Sequence, residues 1–190
     1  LMRILPHERI LYFGDTGRVP YGSRGRETIR RYAAQDMRFL VEHDVKVVLA
    51  ACGTVSSTAR DIGDALPVPY LDVLRPTAQA AVSQTKNGRI GIIGTAATIA
   101  SGSYRREILA LNPAIEVFEQ ACPLFVPLVE NGFVAPQEEI TRLVAQRYLA
   151  PIRERGVDTL ILGCTHYPII SATIRHIQQR RNGRAEIHSG

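Results

Sequence analysis

The stretch Asp158-Thr159-Leu160-Ile161-Leu162-Gly163-Cys164-Thr165-His166 decides the fold. Its apolar residues run on without the alternation of a half-exposed strand. This predicts a strand buried on both faces, as in a parallel sheet covered by helices. The run ends at a glycine and a cysteine, and in open α/β sheets ligands bind just past the carboxyl ends of strands. An earlier stretch repeats the arrangement: Val45-Lys46-Val47-Val48-Leu49-Ala50-Ala51 leads into Cys52-Gly53-Thr54. Two cysteines in matching turns predict two half-sites that face one pocket.

Outward from these stretches, strand and helix patterns alternate. Strands are expected at 9–13, 45–50, 67–73, 89–95, 117–123, 158–162 and 186–190. Helices are expected at 24–43, 55–65, 77–84, 104–111, 137–154 and 170–179. Over 24–43 the spacing of Ile29, Ala33, Met37 and Leu40 draws one apolar stripe. The alternation predicts an α/β fold of parallel sheets with helices on both faces. Hydroxyls at Thr95 and Thr98 fall in another strand-to-helix turn, where free N–H groups can hold an anion. The loop Gly14-Asp15-Thr16 to Pro20-Tyr21-Gly22 leaves a strand in the same sense. Tyr21 and the Gly22 amide read there equally well as turn or as pocket lining.

The 190 residues are 45% hydrophobic and 22% charged, which suits one large or two small globular units. No run approaches the roughly 18 apolar residues of a membrane span, and the opening residues are too short for a signal peptide. The sequence begins with Leu1 rather than Met, so a fragment is expected. Net charge is +5, carried almost wholly by arginine. Arg18, Arg24, Arg26, Arg30, Arg31 and Arg38 crowd one helix and read as its solvated face, so neither membrane nor direct nucleic-acid contact is expected. Cys52, Cys122 and Cys164 imply no complete disulfide framework and fit a reducing cytoplasm.

A cysteine at a helix start is expected to have a lowered pKa and to serve as a base. Inverting a carbon needs a base on one face and an acid on the other. Two facing cysteines, one thiolate and one thiol, supply both without a cofactor. His166 can orient or deprotonate Cys164, and Glu130 can orient His166. Other chemistries use the same residue types: a cysteine nucleophile beside histidine, or a zinc site on Cys52, Cys164 and His166. No Cys-x-x-Cys or His-x-x-x-His spacing supports the metal. Cys122, followed by Pro123, reads as a small buried hydrophobe.

Taken in order, Gly14-Asp15-Thr16, Pro20-Tyr21-Gly22, Ala51-Cys52-x-Thr54, Gly91-Ile92-Ile93-Gly94-Thr95 and Gly163-Cys164-Thr165-His166-Tyr167-Pro168 resemble the glutamate racemase family along essentially the whole chain. The resemblance implies cofactor-independent interconversion of L- and D-glutamate, which supplies D-glutamate for peptidoglycan. It implies two flavodoxin-like (Rossmann-like) α/β domains related by a pseudo-twofold axis, residues 1–76 plus 186–190 around Cys52 and 77–185 around Cys164. It assigns Cys52 to D-glutamate and Cys164 to L-glutamate as proton acceptors, with His166 and Glu130 assisting Cys164. Tyr21, Gly22, Gly53, Thr54, Thr98 and Thr165 would bind the substrate. No metal is implied, and a homodimer is a further expectation.

Three departures accompany the resemblance. The family opens with an Asp-Ser-Gly strand that would precede residue 1, so the first domain is expected to be incomplete. Gly53 stands where the family has asparagine, and the family continues past residue 190. Exposed apolar surface and impaired turnover, chiefly at Cys52, are therefore expected. The alternatives are a racemase for another acidic amino acid or a non-catalytic binding protein.

Overall fold

The structure, a computed structural model, describes residues 1–182 and 186–189. Its first long element is α1 (Arg26–Glu42), which buries Ile29, Ala33 and Met37 along one stripe. These close over β1 (Val48–Ala50), α2 (Gly53–Thr58), α3 (Arg60–Asp64) and β2 (Tyr70–Asp72). β1 and β2 form a two-stranded parallel sheet. Its core gathers Ala33, Met37, Val48, Val55 and Ala59. β1 starts three residues later than the apolar run predicts. Val48 is anchored through its N–H to the Pro69 carbonyl, at 3.0 Å, whereas Pro67 and Pro69 have no N–H to extend the ladder backward. The single helix expected over 55–65 is two short ones, because Ala59 leaves helical geometry at φ −131°.

Residues 9–13 form no strand, contrary to the sequence pattern. Strand formation needs a neighbour to pair with, and among the described residues the small sheet holds only β1 and β2. Phe13 packs on Phe39 instead, with ring centroids 4.9 Å apart. The register partners Leu49 and Leu71 are both exposed, so one face of this sheet presents apolar surface.

The second unit contains α4 (Leu74–Gln84), β3 (Arg89–Gly94), α5 (Ala96–Ser101), α6 (Ser103–Leu111), β4 (Glu116–Ala121), α7 (Phe125–Glu130), α8 (Glu139–Glu154), β5 (Thr159–Leu162), a 3₁₀ turn (Tyr167–Ile170), α9 (Ser171–Asn182) and β6 (Glu186–Ser189). The sheet order is β4-β3-β5-β6, parallel throughout. β3 and β5 are almost wholly buried because helices cover both faces. Ile90, Ile92 and Ile161 face α4 and α6, packing with Leu74, Ala78 and Ile108. Ile93, Leu160 and Leu162 face the other way, onto Leu149, Ile152, Ile170 and Ile174. Cys122 lies in this second cluster, fully buried, as its sequence context suggests.

Two expectations about the domain division need correcting. The strand at 186–189 was expected to join the Cys52 unit, but it pairs with β5 in the Cys164 sheet. A strand following α9 is held by the edge that β5 leaves open, and sequence pattern carries no information about which edge that is. The boundary at 76/77 also falls inside α4, whose start is capped by Asp72 accepting from the N–H groups of Leu74 and Arg75 at 2.9 and 3.1 Å. Residues 183–185 and 190 lie outside the described residues.

Candidate active site

Cys52 and Cys164 both sit in turns at strand ends. Cys52 follows β1 and occupies the position just before α2. Cys164 follows β5 and precedes the 3₁₀ turn. The two turns meet directly. A Cβ added to Gly53 would lie 2.3 Å from the Gly163 carbonyl oxygen and 3.7 Å from the Cys164 Cα.

A chain of hydroxyls runs beside this contact. Thr95 caps α5, accepting from the Thr98 N–H at 3.2 Å. Its own hydroxyl donates to the Thr98 hydroxyl at 3.0 Å. Thr54 is therefore the donor in its 3.1 Å pair with Thr95, because a hydroxyl has one proton to give. All three threonines are buried. Gly22 rests on the same spot: a Cβ there would lie 2.5 Å from Thr95, and the Gly22 carbonyl accepts from the Ala97 N–H at 3.2 Å. The Ser103 hydroxyl also reaches across, donating to the Ser57 carbonyl at 2.6 Å.

The Cys164 side carries a relay. His166 Nδ1 is 3.8 Å from the Cys164 Sγ, and His166 Nε2 is 3.2 Å from a Glu130 carboxylate oxygen. Sequence spacing brought Cys164 and His166 together. The fold adds Glu130, from the end of α7.

Both thiols are shifted upward, against the expectation of a helix-start thiolate. For Cys52 burial raises the pKa, and the backbone N–H groups of Val55 and Thr54 only partly offset it. For Cys164 burial pushes the thiol up to about 12, with the His166 amide opposing and the charges of Cys52 and Glu130 adding to the rise. Desolvation of a thiolate outweighs the few partial charges that a short turn can aim at it.

Tyr21 is placed differently from a simple pocket-lining residue. Its hydroxyl donates to Asp36 at 2.8 Å and also contacts Asp15. Arg18 joins both carboxylates, at 2.6 Å to Asp15 and 2.5 Å to Asp36. Burial is the main cause that raises the Tyr21 and Asp36 pKa values. The Asp36 charge is also felt at Cys52, where it opposes ionisation. Thr165 is exposed at the mouth of the Cys164 turn.

The structure thus brings Cys52, Gly53, Thr54, Gly22, Thr98, Cys164, His166 and Glu130 around one inter-unit seam. Sequence reasoning left Thr95, Gly163 and Asp36 outside the site. Thr95 and Gly163 carried a signal, since each ends a buried strand. Asp36 sits mid-helix among charged residues and carried none. Among the described residues, no group of three or more His, Cys, Asp and Glu side chains gathers as a metal site would, and no helix is long and apolar enough to cross a membrane.

The fold is of the α/β class, with two cysteine turns, each at the end of a parallel strand, meeting at one seam. The chain belongs to the Asp/Glu/Hydantoin racemase family, matched over residues 2–180. It is 51% identical to a glutamate racemase of Chlorobaculum tepidum over 175 residues, 91% of this chain and 64% of that protein. It therefore spans a little under two thirds of that relative's length. Among solved structures it is similar to the Francisella tularensis glutamate racemase in complex with D-glutamate, with TM-score 0.90 and 40% identity over 98% of this chain and 68% of that one. A Bacillus anthracis glutamate racemase matches with TM-score 0.91 and 34% identity over 99% of this chain and 69% of that one.

Proposed function

We propose that the chain catalyses cofactor-independent racemisation of glutamate, with Cys52 and Cys164 as the two proton-transfer groups. The observation that carries this reading is the Cys164–His166–Glu130 relay standing across the Gly53–Gly163 contact from Cys52.

The chemistry follows from the upward thiol shifts. Both cysteines rest as thiols, so a base must be made before a proton is taken from carbon. His166 accepts the Cys164 proton through Nδ1, and Glu130 stabilises the resulting imidazolium at Nε2. The Cys164 thiolate then takes the α-proton of L-glutamate: the C–H bond breaks and an S–H bond forms. The Cys52 thiol delivers its proton to the opposite face, giving D-glutamate. The reverse direction begins from thiolate at Cys52, to which no imidazole is hydrogen-bonded among the described residues, and retraces the same steps. The substrate carboxylates meet the hydroxyls of Thr98 and Thr165 and the backbone N–H of Thr54 at the start of α2. Thr98 is suited to this because its hydroxyl accepts from Thr95 and keeps its own proton to give. Tyr21 and Gly22 close that end of the pocket. The product is the D-glutamate required for peptidoglycan, made by an enzyme whose free thiols suit a reducing cytoplasm.

Solvent deuterium exchange at the glutamate α-carbon tests this reading. Incorporation with racemisation is expected, lost in Cys52→Ala and Cys164→Ala. Exchange unaffected by both substitutions would overturn it.

A further inference from the structure

We propose that Gly53 is a positioning residue whose missing side chain sets the gap between the two cysteine turns; this rests on the racemase reading above. A Cβ at residue 53 would lie 2.3 Å from the Gly163 carbonyl oxygen, a backbone atom, and 3.1 Å from its carbon. No rotamer change relieves such a clash. One of the two turns must move.

The Gly163 turn is fixed. The Gly163 N–H donates to the Ile93 carbonyl at 2.7 Å. The space where Gly163 would carry its own Cβ is closed by that carbonyl at 3.0 Å and the buried Tyr104 ring at 3.3 Å. Cys164, next along, is tied to His166 and through it to Glu130. The Cys52 turn is held less firmly, through the Thr54–Thr95 hydroxyl pair, the Gly22 carbonyl on the Ala97 N–H and the Ser103–Ser57 bond. A side chain at 53 therefore displaces the Cys52 unit and lifts it off α5.

The backbone-to-backbone seam holds both sulfurs at one fixed spacing and keeps Cys164 buried, at 9% exposure. Proton transfer at a carbon between two sulfurs is sensitive to that spacing, and a misplacement of about 1 Å can cost about 100-fold in rate. Gly53 acts here as a spacer rather than as a substrate hydrogen-bonding position.

Labelling of individual cysteines by a small maleimide, resolved by mass spectrometry, tests the proposal. Gly53→Ala should label Cys164 at least about tenfold faster than the parent protein, with Cys122 still protected, and Gly53→Asn should exceed Gly53→Ala. Gly17→Ala, where a Cβ meets nothing within 4 Å, should match the parent. Unchanged Cys164 labelling, or equal acceleration at all three cysteines, would overturn the proposal. The readout does not depend on turnover. Selective opening in Gly53→Ala, with no racemisation by the parent protein, would sink the functional reading and leave the spacer intact. Racemisation with unchanged labelling would do the reverse.

Discussion

Glu130 holds a carboxylate oxygen 3.2 Å from His166 Nε2 although it is the last residue of α7. A carboxylate at the carboxyl end of a helix meets the negative end of the helix dipole, which disfavours it. Asn131 turns the chain directly afterwards. The pairing with His166 gives this placement a reason: a negative charge there is tolerable when an imidazolium forms beside it. Both side chains remain partly exposed, at 33% and 40%, so the pair contributes little to stability, and under the proposed mechanism its role is in proton transfer.

Glu130→Gln should therefore separate activity from stability. The amide can still orient the ring but cannot stabilise its positive charge. Racemisation from L-glutamate should fall by at least about tenfold. The urea midpoint should stay unchanged, and kcat/KM should fall equally from D-glutamate, because the two enantiomers are equal in free energy. A lowered midpoint, with activity lost only in step with it, would assign Glu130 a structural role instead.

The resting thiols should be slow nucleophiles. With its pKa pushed up to about 12 from an ordinary 9.0, Cys164 should hold on the order of 100-fold or more less thiolate than a free cysteine at about pH 8. Iodoacetamide alkylation, followed peptide by peptide, should show Cys164 reacting correspondingly slowly and accelerating well above pH 9. A midpoint at or below 9 would mean that the relay, rather than burial, governs this thiol.

Thr95 joins the two units through one oxygen, so its removal should be felt on both sides. Thr95→Val keeps the shape but loses the cap on Thr98 and the links to Thr54 and Thr98. A lost helix cap costs about 0.5–2 kcal/mol, and the buried Thr54 hydroxyl is left unpaired besides. Urea unfolding should show a destabilisation of at least that size, with Thr95→Ser restoring most of it. Indistinguishable midpoints for Thr95→Val and the parent would show that the hydroxyl chain carries no stability.

The features legible in the sequence were those written in local pattern. Unbroken apolar runs located β3 and β5, and the stripe at Ile29, Ala33 and Met37 located α1. Cys52, Cys164 and His166 were legible because strand ends and short spacing place them. Residues 9–13 misled because an apolar run states readiness to pair, whereas a strand requires a partner. The sheet that 186–189 joins was illegible for the same reason. The thiol shifts were misread because local sequence shows the helix start at Cys52 but not the burial that outweighs it. In the sequence Gly53 stands out only as a glycine where the family resemblance has asparagine. Only the position of Gly163, far along the chain, shows that a side chain has no room there.

Asp36 gives the last prediction. Arg18, Asp15 and Tyr21 all reach its carboxyl region, and the Tyr21 hydroxyl contacts both carboxylates while having one proton to donate. Burial, the leading cause, raises the Asp36 pKa above its ordinary 3.8, and the Asp15 charge adds to it against the opposing pull of Tyr21 and Arg18. The folded carboxyl thus keeps its proton to a higher pH than the unfolded one. Its contribution to stability is full below 3.8 and is lost as pH rises through the folded value. Asparagine copies the neutral carboxyl at every pH. The Tm of Asp36→Asn relative to the parent should therefore climb as pH rises from below 3.8 toward neutrality. Removing the Asp36 charge should also lower the Cys52 pKa, speeding its alkylation at a given pH. A Tm difference that stays flat or falls with pH, together with unaltered Cys52 alkylation, would show that Asp36 is ionised in the fold and electrically remote from the cysteine.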